Sequence, residues 1–359
     1  MQGSPVSRVE VVEQILDLAR WAPSGDNAQP WRFEIIDGSR FVIHGRDTRD
    51  HCIYDLDGRS SQLALGALIE TAAIAASRFG LDLQARRRPD GNAARPTFDV
   101  ELRPVPGLVA DALWRFIPER SVQRRPLSRR ALSGAQHEAL QAAVGPAYEL
   151  VCFEGAQRWS WAQLLWANAG LRLRLPEAFE THRSVIEWGA RFSRTRLPDQ
   201  ALGVDGLTLV VMHTAMADWR RIRFMNRWLG GTLMPRLLMD LVPALACAAH
   251  IALIAREPVA SVDDHVASGR AVQRFWLQAT RLGLQHQPAA TPLVFARYLR
   301  EGRHFTADTQ ELRLAQTLAA RLDGLLGGRS DQTVWLGRIG LGPAAESRSV
   351  RRPLSELLM

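Results

Sequence analysis

Apolar positions along the chain follow two rhythms. Val9, Val12, Ile15, Leu16, Ala19 and Ala22 recur at helical spacing and Pro23-Ser24 stops them, so the spacing predicts a helix over 9–22. "WRFEII" and "RFVIH" then alternate on either side of Asp37-Gly38, which predicts a hairpin. "DLDGRSSQLALGALIETAAIAASRFGL" predicts a long buried helix ending at Gly80, and "LDLQARR" and "TFDVELRP" predict two more short strands. From residue 107 the pattern restarts. "SGAQHEALQAAVG" reads as a helix, "AYELVCFEG" as a strand and "AQRWSWAQLLWANAGLRLRL" as another helix. "PALACAAHIALIA" is too short to span a bilayer and reads as a buried strand or core helix. A helix over "DDHVASGRAVQRFWLQATRLGL" follows, with Ser261 as its cap and Asp263 and Asp264 in its first turn.

Two of these helices align without a gap. "GALIETAAIAASRFGL" (66–81) lies over "GRAVQRFWLQATRLGL" (269–284), placing Gly66 on Gly269, Ala76 on Ala279, Arg78 on Arg281 and Gly80 on Gly283. The match falls late in each half, which implies an internal duplication. The expected fold is α+β, in two degenerate halves, residues 1–106 and 107–359. Residues 175–242, rich in Arg, Trp, Met and Pro, have no counterpart in the first half and read as a helical insertion.

Composition changes this picture little. The chain has 359 residues, 47% hydrophobic and 23% charged, an ordinary globular balance that can bury a large core. Cys52, Cys152 and Cys247 form no C-x-x-C pair, and the nine histidines show no metal-ligand spacing, so three buried thiols and no metal site are expected. No lysine occurs: all 45 basic residues are arginine. Schiff-base chemistry is thereby excluded, and any anion must be held by guanidinium forks or backbone amides. The arginines are interspersed with acids and form no basic block, which argues against nucleic acid. The N-terminus lacks the apolar run of a signal peptide, so a cytoplasmic protein without a membrane partner is expected. "GLGPAA" near the end lacks the following helix and strand that a dinucleotide unit requires.

The chemistry concentrates in "WAPSGDNAQPW" (21–31). Its hydroxyl, amide and bare backbone N–H groups suit a planar heteroaromatic or a phosphate. They equally suit a plain helix-stop loop capped by Ser24 and Asn27.

The order helix, "APSGDNAQPWRF", antiparallel hairpin resembles the flavin-binding turn of the nitroreductase family. Ala22, Pro23, Ser24, Asn27, Gln29, Pro30 and Trp31 carry the resemblance. The family's arginine box for the FMN phosphate finds its match in "IPERSVQRRPL", where Arg120 and Arg124 take the arginine slots and Val122 stands where a hydroxyl residue is usual. The C-terminal "WLGRIGLGPAAESRSVRRPLSELL" resembles the family's ending, in which basic residues return to the phosphate; Arg348, Arg351 and Arg352 are the candidates. The fused two-half branch of the mycobacterial Acg-like proteins is the nearest pattern, and it covers most of the chain outside 175–242. There the insertion can serve as a lid.

The resemblance implies a nitroreductase-like αβα sandwich whose two halves form an intrachain pseudo-dimer, and an FMN-dependent oxidoreductase that passes electrons from NAD(P)H through FMN to a nitroaromatic, quinone or other conjugated acceptor. Its implied cofactor-binding residues are Pro23, Ser24, Gly25, Asn27, Gln29, Arg120, Arg124, Arg348 and Arg351, with no catalytic side chain. Two other readings stay open: a flavin-storing or regulatory protein with little turnover, and a partner of a ThiF-like adenylating enzyme.

Overall fold

The structure is a computed structural model that describes residues 7–89, 92–228 and 230–359. The chain opens on α1 (Arg8–Ala19), started by a capping box in which Ser7 and Glu10 satisfy each other's backbone N–H. The hairpin β1 (Trp31–Ile35) and β2 (Arg40–Gly45) leads to α2 (Arg59–Ser77) and then to β3 (Leu81–Arg87) and β4 (Thr97–Pro104). The predicted helix over 55–81 starts only at Arg59. Residues 53–55 make a separate 3-10 turn, and Gly58 sits at φ 78°, a left-handed joint that glycine accepts readily.

In the second part, α3 (Gly134–Val144) and β5 (Tyr148–Phe153) precede a long excursion. It holds α4 (Gln157–Arg172), α5 (Pro176–Val185), the two-residue strands β6 (Ile186–Glu187), β7 (Phe192–Ser193) and β8 (Leu197–Pro198), then α6 (Gly206–Ala215), α7 (Trp219–Trp228), α8 (Leu233–Arg236) and α9 (Val242–Leu245). The short strands were not expected from its periodicity. The chain re-enters the fold with β9 (Ala249–Ala255), α10 (Val262–Arg281) and β10 (Leu284–Pro288). It continues through α11 (Thr291–Arg300), α12 (Thr309–Leu325), β11 (Thr333–Leu341) and β12 (Arg348–Ser349).

Two four-stranded antiparallel sheets result, ordered β1-β2-β4-β3 and β5-β9-β11-β10. The fold is α+β. Strand for strand the two orders correspond, with α2 and α10 in equivalent places. In the first sheet β4 alternates: Phe98, Val100 and Leu102 face α1 and α2, while Asp99, Glu101 and Arg103 face solvent. The second sheet is covered on both faces. β9 is buried throughout, with Ile251 and Leu253 packing among α3 and α10, and Ala252 and Ile254 among α4, α11 and α12.

The two sheet layers meet where α2 packs on α10. Both ends of the second part also reach across. Phe33 of β1 donates to Leu357 O and accepts from the N–H of Met359, so the C-terminal residues extend the edge of the first sheet.

Candidate functional site

The turn after α1 is held in unusual backbone geometry. Asp26, Asn27 and Gln29 take φ of 50°, 61° and 48°, left-handed values that L-residues adopt at a cost of about 1 kcal/mol or more each. Three anchors hold it. Ser24 Oγ accepts from Gln29 N at 3.0 Å. Gln29 bridges two other segments, its Nε2 donating to Arg194 O at 2.8 Å and its Oε1 accepting from Arg352 N at 2.9 Å. Asn27 Nδ2 donates to the carbonyls of Val350, Arg196 and Ser193 at 3.1, 3.3 and 3.4 Å. The turn is therefore clamped by the parallel pair β7–β12, one strand from the insertion and one from the C-terminal tail. Asn27 Oδ1 is buried and has no hydrogen-bond partner among the described residues.

A cavity of about 1070 Å³ opens beside this turn. Pro23, Ser24, Gly25 and Asn27 line it, as do Arg120, Arg124 and Arg351. Residues predicted from three remote segments thus share one space. Gln29 is buried behind the wall and Arg348 is set back from it. Arg348 lies over the Trp21 ring at 5.2 Å and donates to Pro118 O at 2.7 Å, so it clasps the entry to the Arg120 segment.

The three cavity arginines expected from the sequence have no carboxylate partner among the described residues. Arg120 donates to Trp21 O at 3.0 Å and stacks on Trp276 at 4.5 Å, leaving Nε unpaired. Arg351 Nε donates to Ala22 O at 3.0 Å. Arg124 reaches only Ala201 O at 3.2 Å. Arg120 and Arg351 thereby cap the C-terminal end of α1, where the helix dipole favours cations. Backbone carbonyls do not neutralise two buried charges. Burial, then the proximity of Arg351 and Arg348, hold Arg120 well below the ordinary arginine range. Burial, then Arg348 and Arg20, bring Arg351 down to about 9. A buried like-charged pair of this kind calls for an anion.

A second polar group on the cavity wall was not read from the sequence. Asp26, pushed up by burial against the pull of Arg124 and Arg172, faces Cys52 at 3.9 Å. The Tyr54 hydroxyl lies 2.8 Å from His182 Nε2, and Arg172 lies 3.6 Å from Asp240, too long for a direct hydrogen bond. Burial drives His182 down to about 3, so its ring is neutral. These residues sit far apart in the chain and show no motif.

No thiol is activated. Cys247 is buried, whereas Cys52 and Cys152 are partly exposed, contrary to the expectation of three buried thiols. Burial pushes Cys52 and Cys152 up to about 12 and Cys247 up to about 11. Among the described residues no cluster of metal-ligating side chains occurs, and no helix is long and apolar enough to cross a membrane.

Residues 3–56, which contain α1, the strained turn and the first hairpin, match the sequence profile of the nitroreductase family. The likeness to that family lies in this N-terminal segment of the chain. Two proteins of Mycobacterium tuberculosis, from strains CDC 1551 and H37Rv, carry names that assign them provisionally to the NAD(P)H nitroreductases. Each is 31% identical over 120 residues, 33% of this chain and 35% of the relative. The matched stretch thus spans about a third of the length of these curated relatives. Among solved structures, a nitroreductase-like family protein from Bacillus cereus is similar with a TM-score of 0.34 and 14% identity, over 68% of this chain and 94% of that one. The FMN-dependent nitroreductase NfnB from Mycobacterium smegmatis, in complex with NADPH, is similar with a TM-score of 0.38 and 16% identity, over 67% and 94%.

Proposed function

We propose that this chain is an FMN-dependent oxidoreductase of the nitroreductase type, taking electrons from NAD(P)H and passing them to a nitroaromatic, quinone or other conjugated small molecule. The observation that carries this reading is the convergence of Arg120, Arg124 and Arg351, all without an acid partner, on the cavity lined by the Pro23–Asn27 turn. A phosphate monoester supplies the counter-charge those guanidiniums lack, and the turn at Ser24 and Gly25 lines the same cavity. The residues present therefore fit FMN.

Bound FMN would supply the two-electron chemistry. The protein's part is to hold its phosphate on Arg120, Arg124 and Arg351, to address its polar edge from Ser24 and Gly25, and to exclude water. With every thiol held protonated, no side-chain nucleophile is required.

We read residues 1–106 and 107–359 as two fused nitroreductase-like halves, an intrachain pseudo-dimer. The matching strand orders and the helix pair α2–α10 support this. The insertion acts as a lid: Met212 of α6 and Trp219 and Ile222 of α7 line the cavity from above. The same cover favours a second reading, a flavin-holding protein with little turnover. Anaerobic stopped-flow reduction by NADH and NADPH separates the two, rapid bleaching supporting the enzyme and none the holder. Mass spectrometry of the cofactor released by heat tests the cofactor: FMN is expected, and FAD, or no flavin after reconstitution with FMN, overturns the proposal.

A further inference from the structure

The outer face of the lid is unlike the rest of the surface. On α7 the cavity side is taken by Trp219, Ile222, Met225 and Asn226. The opposite side carries Phe224 and Trp228, 57% and 67% exposed, set among the exposed arginines 220, 221, 223 and 227. On α6 beside it, Val210 is 63% exposed and stands off the cavity, whereas Leu207 and Val211, though exposed, line it. No carboxylate pairs with any of the four α7 arginines among the described residues. The nearest acid in sequence, Asp218, accepts from Arg220 N and caps the helix. A single exposed apolar residue needs no explanation, but a run of them on two adjacent helices marks an interaction surface.

We infer that the outer face of α6 and α7 docks on an anionic lipid surface. A short helix with aromatic side chains flanked by arginines on one face is built for the headgroup boundary, where apolar rings enter the acyl region and guanidiniums meet phosphates. Charge decides between lipid and a second copy of the chain. Two such faces brought together would set unpaired arginines against arginines at close range, a costly arrangement. An anionic bilayer neutralises the same charges while burying Phe224, Trp228 and Val210. Docked this way, the helices that cover the cavity lie against the bilayer. The expectation of no membrane partner rests on the lack of a spanning segment, and a surface that lies flat on a bilayer needs none. The inference is independent of what the cavity holds.

The test is sedimentation of the full chain with vesicles of phosphatidylglycerol and phosphatidylcholine in equal parts, and with pure phosphatidylcholine, at low and high salt. Binding to the anionic vesicles should exceed binding to the neutral ones by ten-fold or more, weaken with salt, and shift the Trp228 emission to the blue. Phe224→Ser with Trp228→Ser should abolish the blue shift and weaken binding at least ten-fold. Arg220→Gln, Arg223→Gln and Arg227→Gln together should weaken it by roughly a hundred-fold, at about five-fold per arginine near the surface. Circular dichroism and the melting temperature should not change, since all these side chains are exposed. Arg88→Gln with Arg103→Gln, on the solvent face of the first sheet, should leave binding intact. Equal loss from this control pair would mean that net charge alone drives binding, and overturns the inference. So does an absence of vesicle binding, whether the chain is monomeric or forms a dimer that Trp228→Ser dissociates.

Discussion

Gly66 of α2 and Gly269 of α10 stand face to face at the crossing of the two longest helices. A Cβ on Gly66 would collide with Val266 O and come within 2.9 Å of Gly269 Cα; a Cβ on Gly269 would collide with Leu63 O. The contacts are reciprocal, each glycine meeting the carbonyl three residues before the other. Alanine at either position gains about 1 kcal/mol in helix propensity but forces two backbones apart. Gly66→Ala and Gly269→Ala should each lower unfolding free energy by a net of about 1–3 kcal/mol in urea titrations. Gly324→Ala in α12, whose Cβ would meet nothing within 4 Å, should instead be neutral or raise stability by up to about 1 kcal/mol. A neutral Gly66→Ala would mean the two helices are free to separate.

That crossing was legible in the sequence because α2 and α10 keep their period over five turns, and the gapless alignment sets Gly66 on Gly269. The strands of the first sheet were legible for the same reason, their alternation being dictated by a single buried face, whereas β9, buried on both faces, read equally as a strand or a core helix. The site was legible only in part. Ser24, Asn27, Arg120 and Arg124 carry motif spacing, and all line the cavity. The left-handed backbone of Asp26, Asn27 and Gln29 had no signal, because none of the three is glycine and the strain is held by partners at residues 193–196 and 350–352. The polar group of Tyr54, Arg172, His182 and Asp240 was invisible because only folding brings it together.

Three histidines should make the chain acid-sensitive. Burial, against the bond to Arg338 O, and the charges of Arg338 and Arg120 bring His286 down to about 3; His182 is held at about 3 and His250 at about 4. His286 also has a fixed tautomer: Nδ1–H donates to Arg338 O at 3.0 Å, and Nε2 accepts from Trp335 Nε1–H at 3.1 Å. Protonating Nε2 would set two donors against each other. In the unfolded chain these rings titrate near 6.5. Below that pH the unfolded state takes up protons that the native state refuses, so the stabilisation is complete above about 6.5 and is lost as pH falls toward the native values. Each ring should account for about 2 kcal/mol of lost stability between pH 6.5 and 5. His286→Gln keeps a donor and an acceptor, and should reduce the slope of unfolding free energy against pH by one proton. An unchanged slope would show that His286 does not carry it.

Arg120→Ala and Arg351→Ala should each weaken FMN binding by about 2–4 kcal/mol, the scale of truncating one side of a buried charge-assisted contact. Arg124→Ala should fall in the same range, tempered by its competing interaction with Asp26. Exposed Arg129 lies five residues beyond Arg124, and Arg129→Ala should be silent. Fluorescence titration of the flavin-free protein measures all four. Equal losses at all four positions would assign the segment to folding and not to phosphate. Retained affinity in Arg120→Ala and Arg351→Ala would remove the anion argument altogether.

The fused arrangement also fixes how many flavins one chain can hold. In the proposed pseudo-dimer each site would combine a turn from one half with an arginine box from the other. The first half supplies a turn of eleven residues between α1 and β1, with three left-handed residues and an unpaired Asn27 Oδ1. The second half supplies Arg120 and Arg124, and both elements reach the same cavity. At the equivalent place in the second half, α3 ends at Val144 and β5 begins at Tyr148. Only Gly145, Pro146 and Ala147 lie between them, with Gly145 at φ 78° and no serine, asparagine or glutamine. The matching box would have to come from "GSPVSRVEVVEQ", which holds one arginine; its residues up to Val6 lie outside the described ones. One position therefore has both parts and the other has neither, as expected if each half has shed the element its partner no longer needed. Flavin absorbance set against amino-acid analysis of fully reconstituted protein should give a ratio of about one, since only one position can neutralise a phosphate. A ratio near two would refute the fused-dimer account, because three residues without a polar side chain would then be holding a second FMN.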